Sequence, residues 1–447
     1  MNSGLLGVSC RGGSTGFVSN ASYKSPWSRW YVCSLLSKIL EYCWGDLTNM
    51  VLDFLNKGVG SLEGINRTYI VLIPKVNNPR KISEFRPISL CNVVYKIISK
   101  MLANRLKSIL PDIIDESQSA FVPGRLISVN ILVAFEIIHC LKNRRKGKMG
   151  HLALKLDMSK AYDRVEWGFL EAIMLKMGFH PQWVSLVMHC VSTVSFSVLV
   201  NGDPRGCINP TRGLRQGDPL SPYLFILCAE AFSALPRKAE GENKIHGIAV
   251  ARNAPKISHL FFADDSLLFA KAIEDQVLEI SRIIELYGDA SGQQINFDKS
   301  SLSFSPNVPE DKREVIKQIL GVSLCSIHNK YLGLPSTIGR SKMQPFNFIK
   351  DRVWRKLQGW KEKLLSKAGR EVLIKVVAQA MPTYMMSYFK IPVTICEEIN
   401  RMVSRFWWGQ KGSERKLHWL RWDMLCKAKR EGGGFARYGS FQLGIIG

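Results

Sequence analysis

Two adjacent aspartates interrupt a strongly apolar part of the chain. Asp264 and Asp265 lie between segments 257–262 and 267–271, whose composition is typical of short β-strands. Neighbouring carboxylates between hydrophobic strands repel each other unless a cation lies beside them. The pattern predicts a β-hairpin whose tip is either an ordinary acidic turn, as Asp is common in turns, or a cation site.

A third aspartate closes another predicted strand. Residues 151–157 alternate between apolar and polar or small side chains and end at Asp157. Carboxylate oxygens suit Mg²⁺ or Mn²⁺, which few protein ligands hold and substrate phosphates complete. Two such ions, about 3.5–4 Å apart, can activate an attacking hydroxyl and stabilise a leaving pyrophosphate.

Charge indicates the kind of partner. The 447 residues include 61 Lys and Arg against 37 Asp and Glu, a formal net charge of +24. So basic a chain either meets a polyanion, such as nucleic acid or an anionic membrane surface, or is simply a basic protein. Tryptophans accompany the excess charge after Arg340, where they either stack on bases or fill a helical core: Trp354, Trp360, Trp407, Trp408, Trp419 and Trp422.

Composition excludes several other classes. With 46% hydrophobic residues the chain is not wholly disordered, and no run of about 18 uncharged apolar residues predicts a membrane span. The 11 cysteines contain no C-x-x-C pair, which argues against a zinc site or a disulfide framework. An intracellular protein of the nucleus or cytoplasm is expected, since the N-terminus lacks the apolar region of a secretory signal.

Three regions follow from the patterning. Residues 1–45 are expected to be a poorly ordered leader, 46–335 a mixed α/β region and 336–447 a basic, mostly helical region. Within the second region, a helix is predicted from about Asn92 to Leu110, with Pro111 as its stop. Asn201-Gly202 predicts a hairpin turn.

Several motifs together resemble those of reverse transcriptases. The acidic hairpin Phe262–Asp265 resembles their catalytic hairpin, and the segment Leu156–Asp163 resembles their first acidic motif. Further matching segments, in the family's order, are Arg86–Leu90 and Gly213–Pro222. The motif sequences are most similar to those of plant-like, LINE-type (non-LTR) retrotransposon enzymes, as in Ile73–Lys75, Gln118–Arg125 and Tyr331–Pro335. The resemblance covers about residues 46–440.

The resemblance implies an α+β, right-hand polymerase fold. An antiparallel palm sheet would carry the three aspartates, residues 46–335 would form the fingers and palm, and 336–447 a basic helical thumb. The implied activity is RNA-directed DNA polymerisation, in which a primer 3′-OH attacks the α-phosphate of a dNTP with two Mg²⁺ ions, or Mn²⁺. The implied partners are an RNA template, a DNA primer or target, and dNTPs.

The same resemblance assigns roles to individual residues. Asp157 and Asp264 would ligate both metals, Asp265 would assist, and the backbone carbonyl of Met158 would complete one shell. Tyr162 would be an aromatic steric gate against a 2′-OH; its alternative is a core aromatic.

The remaining roles concern the incoming nucleotide. Gln216 and Gly217 would meet it, and a glycine permits close backbone approach. Lys75 and Arg86 would clamp the triphosphate, and Lys299 would neutralise or protonate pyrophosphate. Without the family, the cations would be ordinary surface residues.

Two rival functions remain open from the sequence. One is a non-catalytic nucleic-acid-binding remnant of such an element, and the other is an endonuclease that uses the same acids. The motif set lacks recognisable endonuclease and RNase H parts, so a fragment of a longer element protein is expected.

Overall fold

The computed structural model describes residues 45–56, 62, 64–323, 330–336, 343, 346–361, 365–409, 417–426 and 434–438. They form two units, residues 1–130 with 141–326, and residues 131–140 with 327–447. The predicted leader, apart from residue 45, lies outside the described residues. Within the described ranges, no helix is both long and apolar enough to cross a membrane.

The first unit combines helices with two four-stranded sheets. Its strands are β1 (Arg67–Pro74), β2 (Phe85–Leu90), β3 (His151–Leu156), β4 (Ser195–Val200), β5 (Asp203–Ile208), β6 (His259–Phe262), β7 (Asp265–Lys271) and β8 (Ser301–Phe304). Its helices are α1 (45–56), α2 (Val93–Ile113), α3 (Ile127–Asn143, shared with the second unit), α4 (Trp167–Lys176), α5 (Pro181–Ser192), α6 (Ser221–Gly241), α7 (Glu274–Ser291) and α8 (Glu310–Leu320).

The central sheet has the strand order β6-β7-β3-β8 and is antiparallel throughout. The strand predicted at residues 151–157 is confirmed as β3, but it is buried on both faces, because His151 and Ala153 are buried as well as the leucines. Leu152, Leu154 and Leu156 join the cluster that includes Ile280 and Ile283 of α7. Burying each such leucine contributes about 1.5–3 kcal/mol, so the sheet is anchored on the helix beneath it.

The outer sheet has the order β2-β1-β4-β5. Strands β1 and β2 form an antiparallel pair, and β1 runs parallel to β4. The predicted hairpin at Asn201-Gly202 is confirmed, with both residues at positive φ (53° and 92°), as a tight turn between antiparallel strands requires.

The prediction that Pro111 ends its helix is wrong. Helix α2 begins after the N-cap Asn92, whose side chain accepts from Val94 N, and continues through Pro111 to Ile113. Proline lacks an N–H, but near a helix end only one intrahelical bond is lost. The guanidinium of Arg125 donates to the carbonyls of Pro111 and Ile114, at 3.3 and 2.6 Å, and so satisfies groups at this end.

The second unit is mainly helical. Its elements are β9 (Lys330–Tyr331), β10 (Leu334–Pro335), α9 (Asn347–Lys361), α10 (Lys367–Leu373), a π-helical turn (Ile374–Ala378), α11 (Ala380–Met386), α12 (Val393–Trp407) and α13 (Trp422–Leu425). Trp407 and Trp422 pack on Phe435, with ring centroids 5.1 and 5.0 Å apart, whereas Trp354 and Trp419 are exposed. The packing alternative therefore applies to Trp407 and Trp422, whereas base stacking by the exposed Trp354 and Trp419 stays a prediction.

Candidate nucleotidyl-transfer site

The acidic hairpin has the predicted form. Phe262 pairs with Asp265 across β6 and β7, which leaves Ala263 and Asp264 as a two-residue turn. Ala263 has φ 55°, in the left-handed region that glycine usually supplies. A non-glycine residue in this region is strained and persists only when its surroundings hold it there. The turn places Asp264 at the tip and Asp265 at the first position of β7.

Asp157 lies at the same end of the central sheet, where β3 ends and β7 begins. Leu156 at the end of β3 pairs with Ser266 of β7, so the next residue along β3 lies opposite Asp265. Two backbone contacts hold this position: Asp157 N donates to Ser300 Oγ at 3.1 Å, and Asp157 O accepts from Asn296 N at 2.8 Å. Asp157, which is far from Asp264 and Asp265 in sequence, thus lies beside them in the fold.

The electrostatics of Asp265 reflect this convergence. Burial raises the pKa of its carboxyl, Lys155 opposes that rise, and Asp264 and Asp157 each raise it further. Lys155 Nζ lies 4.0 Å from Asp265 Oδ1, yet the net direction is upward. Burial and the two neighbouring carboxylates together outweigh Lys155, and a divalent cation would offset the repulsion among the three acids.

Lys299 and Met158 flank the acids in different ways. Lys299 Nζ lies 3.9 Å from Asp157 Oδ1, so the predicted basic group does reach the site. Met158 pairs with Ile295 as an isolated antiparallel bridge, and its side chain lines a small cavity that also contacts Asp264. Within the described ranges no group of three or more His, Cys, Asp or Glu side chains forms a ready metal cage. A metal here would need ligands besides the carboxylates, as Mg²⁺ usually has.

Tyr162 lies beside the acids on a 3₁₀ turn, Ala161–Arg164. Its ring stacks on Phe225 of α6, with centroids 4.8 Å apart and planes 12° apart. Burial, and then the charge of Asp264, raise the pKa of its hydroxyl, so the ring is within electrostatic reach of the hairpin tip. Its side chain is only partly buried, which leaves part of the ring accessible.

The Gln216-Gly217 loop connects the central site to the outer sheet. Ser89 N of β2 donates to Gln216 O at 2.8 Å, and Gln216 Nε2 donates to Asp163 Oδ1 at 3.4 Å. Gly217 has φ 107°, and a Cβ there would lie 3.1 Å from Ser89 O. Both the backbone conformation and the close approach therefore require glycine.

A buried ion pair that sequence patterns did not single out supports this loop. Arg215 and Asp218 are each almost fully buried, with Arg215 Nη2 3.9 Å from Asp218 Oδ2. The guanidinium also lies 3.9 Å from the ring centroid of Tyr95 on α2 and donates to Cys190 O at 2.9 Å. Their place inside a motif between Gly213 and Pro222 was the available signal, but a charged residue in a loop normally indicates exposure.

The two predicted triphosphate clamps are exposed: Arg86 lies in β2 of the outer sheet, and Lys75 directly follows β1. Lys75 Nζ donates to Ser83 O at 3.0 Å, and its charge acts on the Asp163 carboxyl, whose pKa burial nevertheless raises. Arg86 pairs with Ile73 across β1 and β2. Arg86 and Ile88 share one face because alternate strand residues point the same way, and Ile88 Cγ2 lies 3.7 Å from a Cβ position at Gly217. Both cations are therefore near the loop, but neither has an ion pair with the three aspartates among the described contacts.

The chain is similar to known proteins over the residues that form the candidate site. The family model described as "Reverse transcriptase (RNA-dependent DNA polymerase)" matches residues 73–348, more than half of the chain and all of the candidate site. A 149 kDa protein of transposon TX1 from Xenopus laevis is 29% identical over 391 residues, which cover 87% of this chain and 28% of that protein.

Two further relatives are similar over shorter segments. A Pol polyprotein from the type-1 retrotransposable element R2 of Nasonia vitripennis is 30% identical over 213 residues, 48% of this chain and 20% of that protein. An uncharacterized mitochondrial protein of Arabidopsis thaliana is 57% identical over 68 residues, 15% of this chain and 56% of that protein. The chain spans less than a third of the length of the two transposon relatives. The chain belongs to the reverse transcriptase family, with the α+β polymerase fold and the non-LTR retrotransposon relationship predicted from its motifs.

Proposed function

We propose that this chain is an RNA-directed DNA polymerase that extends a primer 3′-OH with dNTPs. The observation that carries the proposal is the convergence of Asp157, Asp264 and Asp265 at one end of the central sheet, where burial and then the two neighbouring carboxylates raise the pKa of Asp265. An acidic turn alone would explain the hairpin, but it would not explain a third carboxylate brought there from β3.

The reaction joins the primer oxygen to the α-phosphorus of the dNTP and breaks the bond to pyrophosphate. Two Mg²⁺ ions, or Mn²⁺, would supply activation of the hydroxyl and charge stabilisation of the leaving group. Asp157 and Asp264 would hold them, with Asp265 and the Met158 carbonyl as further oxygen donors. Lys299, near Asp157, would neutralise or protonate the departing pyrophosphate.

The neighbouring residues would select and orient the nucleotide. The Tyr162 ring would lie under the sugar and exclude a 2′-OH, which its stacked and partly accessible position supports. The Gln216-Gly217 backbone would approach the new base pair closely. Lys75 and Arg86 would bind the triphosphate, Lys75 as a point charge and Arg86 through its fork of donors.

The larger assignments are part of the same proposal. Residues 46–335 would be the fingers and palm and 336–447 the thumb, with an RNA template and a DNA primer or target as partners. The basic charge and the two exposed tryptophans of the second unit support nucleic-acid binding. We place the chain in the nucleus or cytoplasm, in keeping with free thiols such as Cys91, Cys190 and Cys228.

Primer extension tests the proposal directly. The purified chain should incorporate dNTPs on a primed RNA template only when Mg²⁺ or Mn²⁺ is present. Asp264→Ala should lower the rate by about 10³-fold or more, because charge stabilisation at the reacting phosphate is lost. Asp289→Ala, at an exposed position on α7, is the matched control and should extend primers normally.

Filter binding of the same template accompanies the assay. The Asp264→Ala variant should retain template as the parent does. If the parent retains template but incorporates nothing at any metal concentration, the chain is a non-catalytic binding remnant. If Asp264→Ala extends primers like the parent, the site has been assigned to the wrong residues.

A further inference from the structure

Strand β6, which leads into the acidic hairpin, is an edge strand of the central sheet. An unpaired edge is normally covered, because its free N–H and C=O groups would otherwise pair elsewhere. Here the segment after α2 covers it. Phe261 N donates to Ser117 O at 2.8 Å, and Ser119 N donates to Phe261 O at 3.3 Å.

Two side chains strengthen this cover. Asn130 Nδ2 donates to Phe261 O at 2.8 Å. Arg125, which binds the carbonyls at the end of α2, also donates to Gln118 O at 2.7 Å. The backbone of the covering segment is therefore fixed on both sides, to β6 and to the guanidinium.

Gln118 extends from this fixed segment to the turn itself. Its side chain is almost fully buried, and Oε1 accepts from Ala263 N at 3.1 Å and from Ala120 N at 3.0 Å. Both partners are N–H donors, so the carboxamide oxygen must face them. Its Nε2 is buried and has no hydrogen-bond partner among the described residues. The carboxamide therefore keeps its oxygen toward the two N–H groups although its own N–H donors stay unsatisfied.

We propose that Gln118 is a positioning residue for the catalytic hairpin. Its oxygen holds the Ala263 N–H in the left-handed turn and so aims the next residue, Asp264, at the metal position. This inference rests on the proposed polymerase function, but it concerns the geometry of the turn. Ala263 prefers other backbone conformations, and without the acceptor its partly buried N–H would lose this bond and the turn would be free to relax.

Gln276 provides a matched control elsewhere in the sheet. It is similarly buried, and its Oε1 also accepts two backbone N–H groups, from His246 at 3.2 Å and from Lys271 at 3.1 Å at the far end of β7. Gln118→Leu and Gln276→Leu each remove one doubly bonded acceptor, and Gln276→Leu also removes the contact between Nε2 and His246 Nδ1 at 2.9 Å. Both should lower the melting temperature, but only the first changes the tip that carries Asp264.

The first measurement is steady-state primer extension at a temperature where circular dichroism shows every variant folded. Gln118→Leu should lower kcat by about 10- to 100-fold with little change in KM for dNTP, since a displacement of about 1 Å at a reacting group has this size of effect. Gln118→Glu keeps an acceptor oxygen in either protonation state and should recover most of the lost kcat at saturating Mn²⁺. Gln276→Leu should keep the parental kcat.

The second measurement is Mn²⁺ binding, followed by electron paramagnetic resonance on the chain without nucleic acid. Gln118→Leu should weaken Mn²⁺ affinity relative to both the parent and Gln276→Leu, with Asp264→Ala as the reference for a lost site. Equal losses of kcat or of Mn²⁺ affinity in the two leucine variants would overturn the inference. If the parent fails to extend primers, but Gln118→Leu has a lower Mn²⁺ affinity and Gln276→Leu does not, the polymerase proposal fails and the positioning role stands.

Discussion

Asp265 lies at the start of β7, partly buried and close to two other carboxylates, so its charge is unfavourable in the absence of a cation. Because burial and its neighbours raise its pKa in the folded chain, the ionised form is less favourable there than in the unfolded chain. The folded state therefore loses stability as pH rises through that raised pKa. A bound divalent cation would remove this cost.

Replacement of Asp265 by Asn should show this effect. In a chelating buffer at neutral pH, Asp265→Asn should raise the melting temperature by about 1–3 °C, because a partly exposed like-charge contact contributes little. The gain should shrink as the pH is lowered, where the parent carboxyl is itself protonated. Differential scanning fluorimetry over a pH series measures it.

Two comparisons interpret that result. Asp289→Asn, exposed on α7, should leave the melting temperature unchanged. Added Mg²⁺ should stabilise the parent more than Asp265→Asn. A variant that melts below the parent at neutral pH in the absence of metal would mean that Lys155 already compensates the carboxyl fully.

The loop between Gly213 and Pro222 contains a glycine, Gly217, whose conformation and close approach to β2 disfavour a side chain. Gly217→Ala should cost about 1–3 kcal/mol of stability, since φ is strongly positive there and the new Cβ would crowd Ser89 O. It should also raise KM for dNTP, because the loop meets the nucleotide in the proposed mechanism. Urea unfolding and primer extension measure the two effects.

Gly168→Ala is the corresponding control. Gly168 lies in helix α4, where nothing approaches a Cβ position within 4 Å. Alanine is the better helix former, so this change should be neutral or stabilising by up to about 1 kcal/mol. If both alanine variants bind dNTP as the parent does, the loop does not contact the nucleotide.

Sequence patterns predicted elements well where the signal was local. The strand β3 and the turn at Asn201-Gly202 each depend on neighbouring residues, and both predictions are confirmed, although β3 is buried on both faces. The prediction that Pro111 ends its helix is wrong because helix rules describe an isolated helix. In the structure, Arg125 donates to the carbonyls at the C-terminal end of α2. The missing information was a contact from the following loop.

The candidate site illustrates the same limit. Family motifs identified all three aspartates, and their convergence required only the pairing of β3 with β7. The bond from Ala263 to Gln118 spans more than a hundred residues, and no local pattern distinguishes a glutamine that fixes a turn from one in solvent. The buried pair Arg215 and Asp218 was missed for a similar reason, since burial of charge depends on the tertiary fold.

For the whole molecule, the net charge of +24 is the dominant property. Lys and Arg that contact phosphates release counterions from nucleic acid, so affinity falls as salt rises. If six to ten phosphates are contacted, the affinity for a primed RNA template should fall by about 10³- to 10⁵-fold between about 50 and 200 mM salt. Filter binding over a salt series checks this, and a flat salt dependence would exclude phosphate contacts as the main source of affinity.

Lys155 and Lys299 each lie about one ion-pair distance from a metal-site carboxylate, at 4.0 and 3.9 Å. In the proposed mechanism, these tethered ammonium groups would partly offset the charge of the carboxylates when no divalent ion is bound. Metal entry would then be an exchange of cations. Chelation should accordingly be reversible: the polypeptide waits in a folded resting form and regains competence when the ions return.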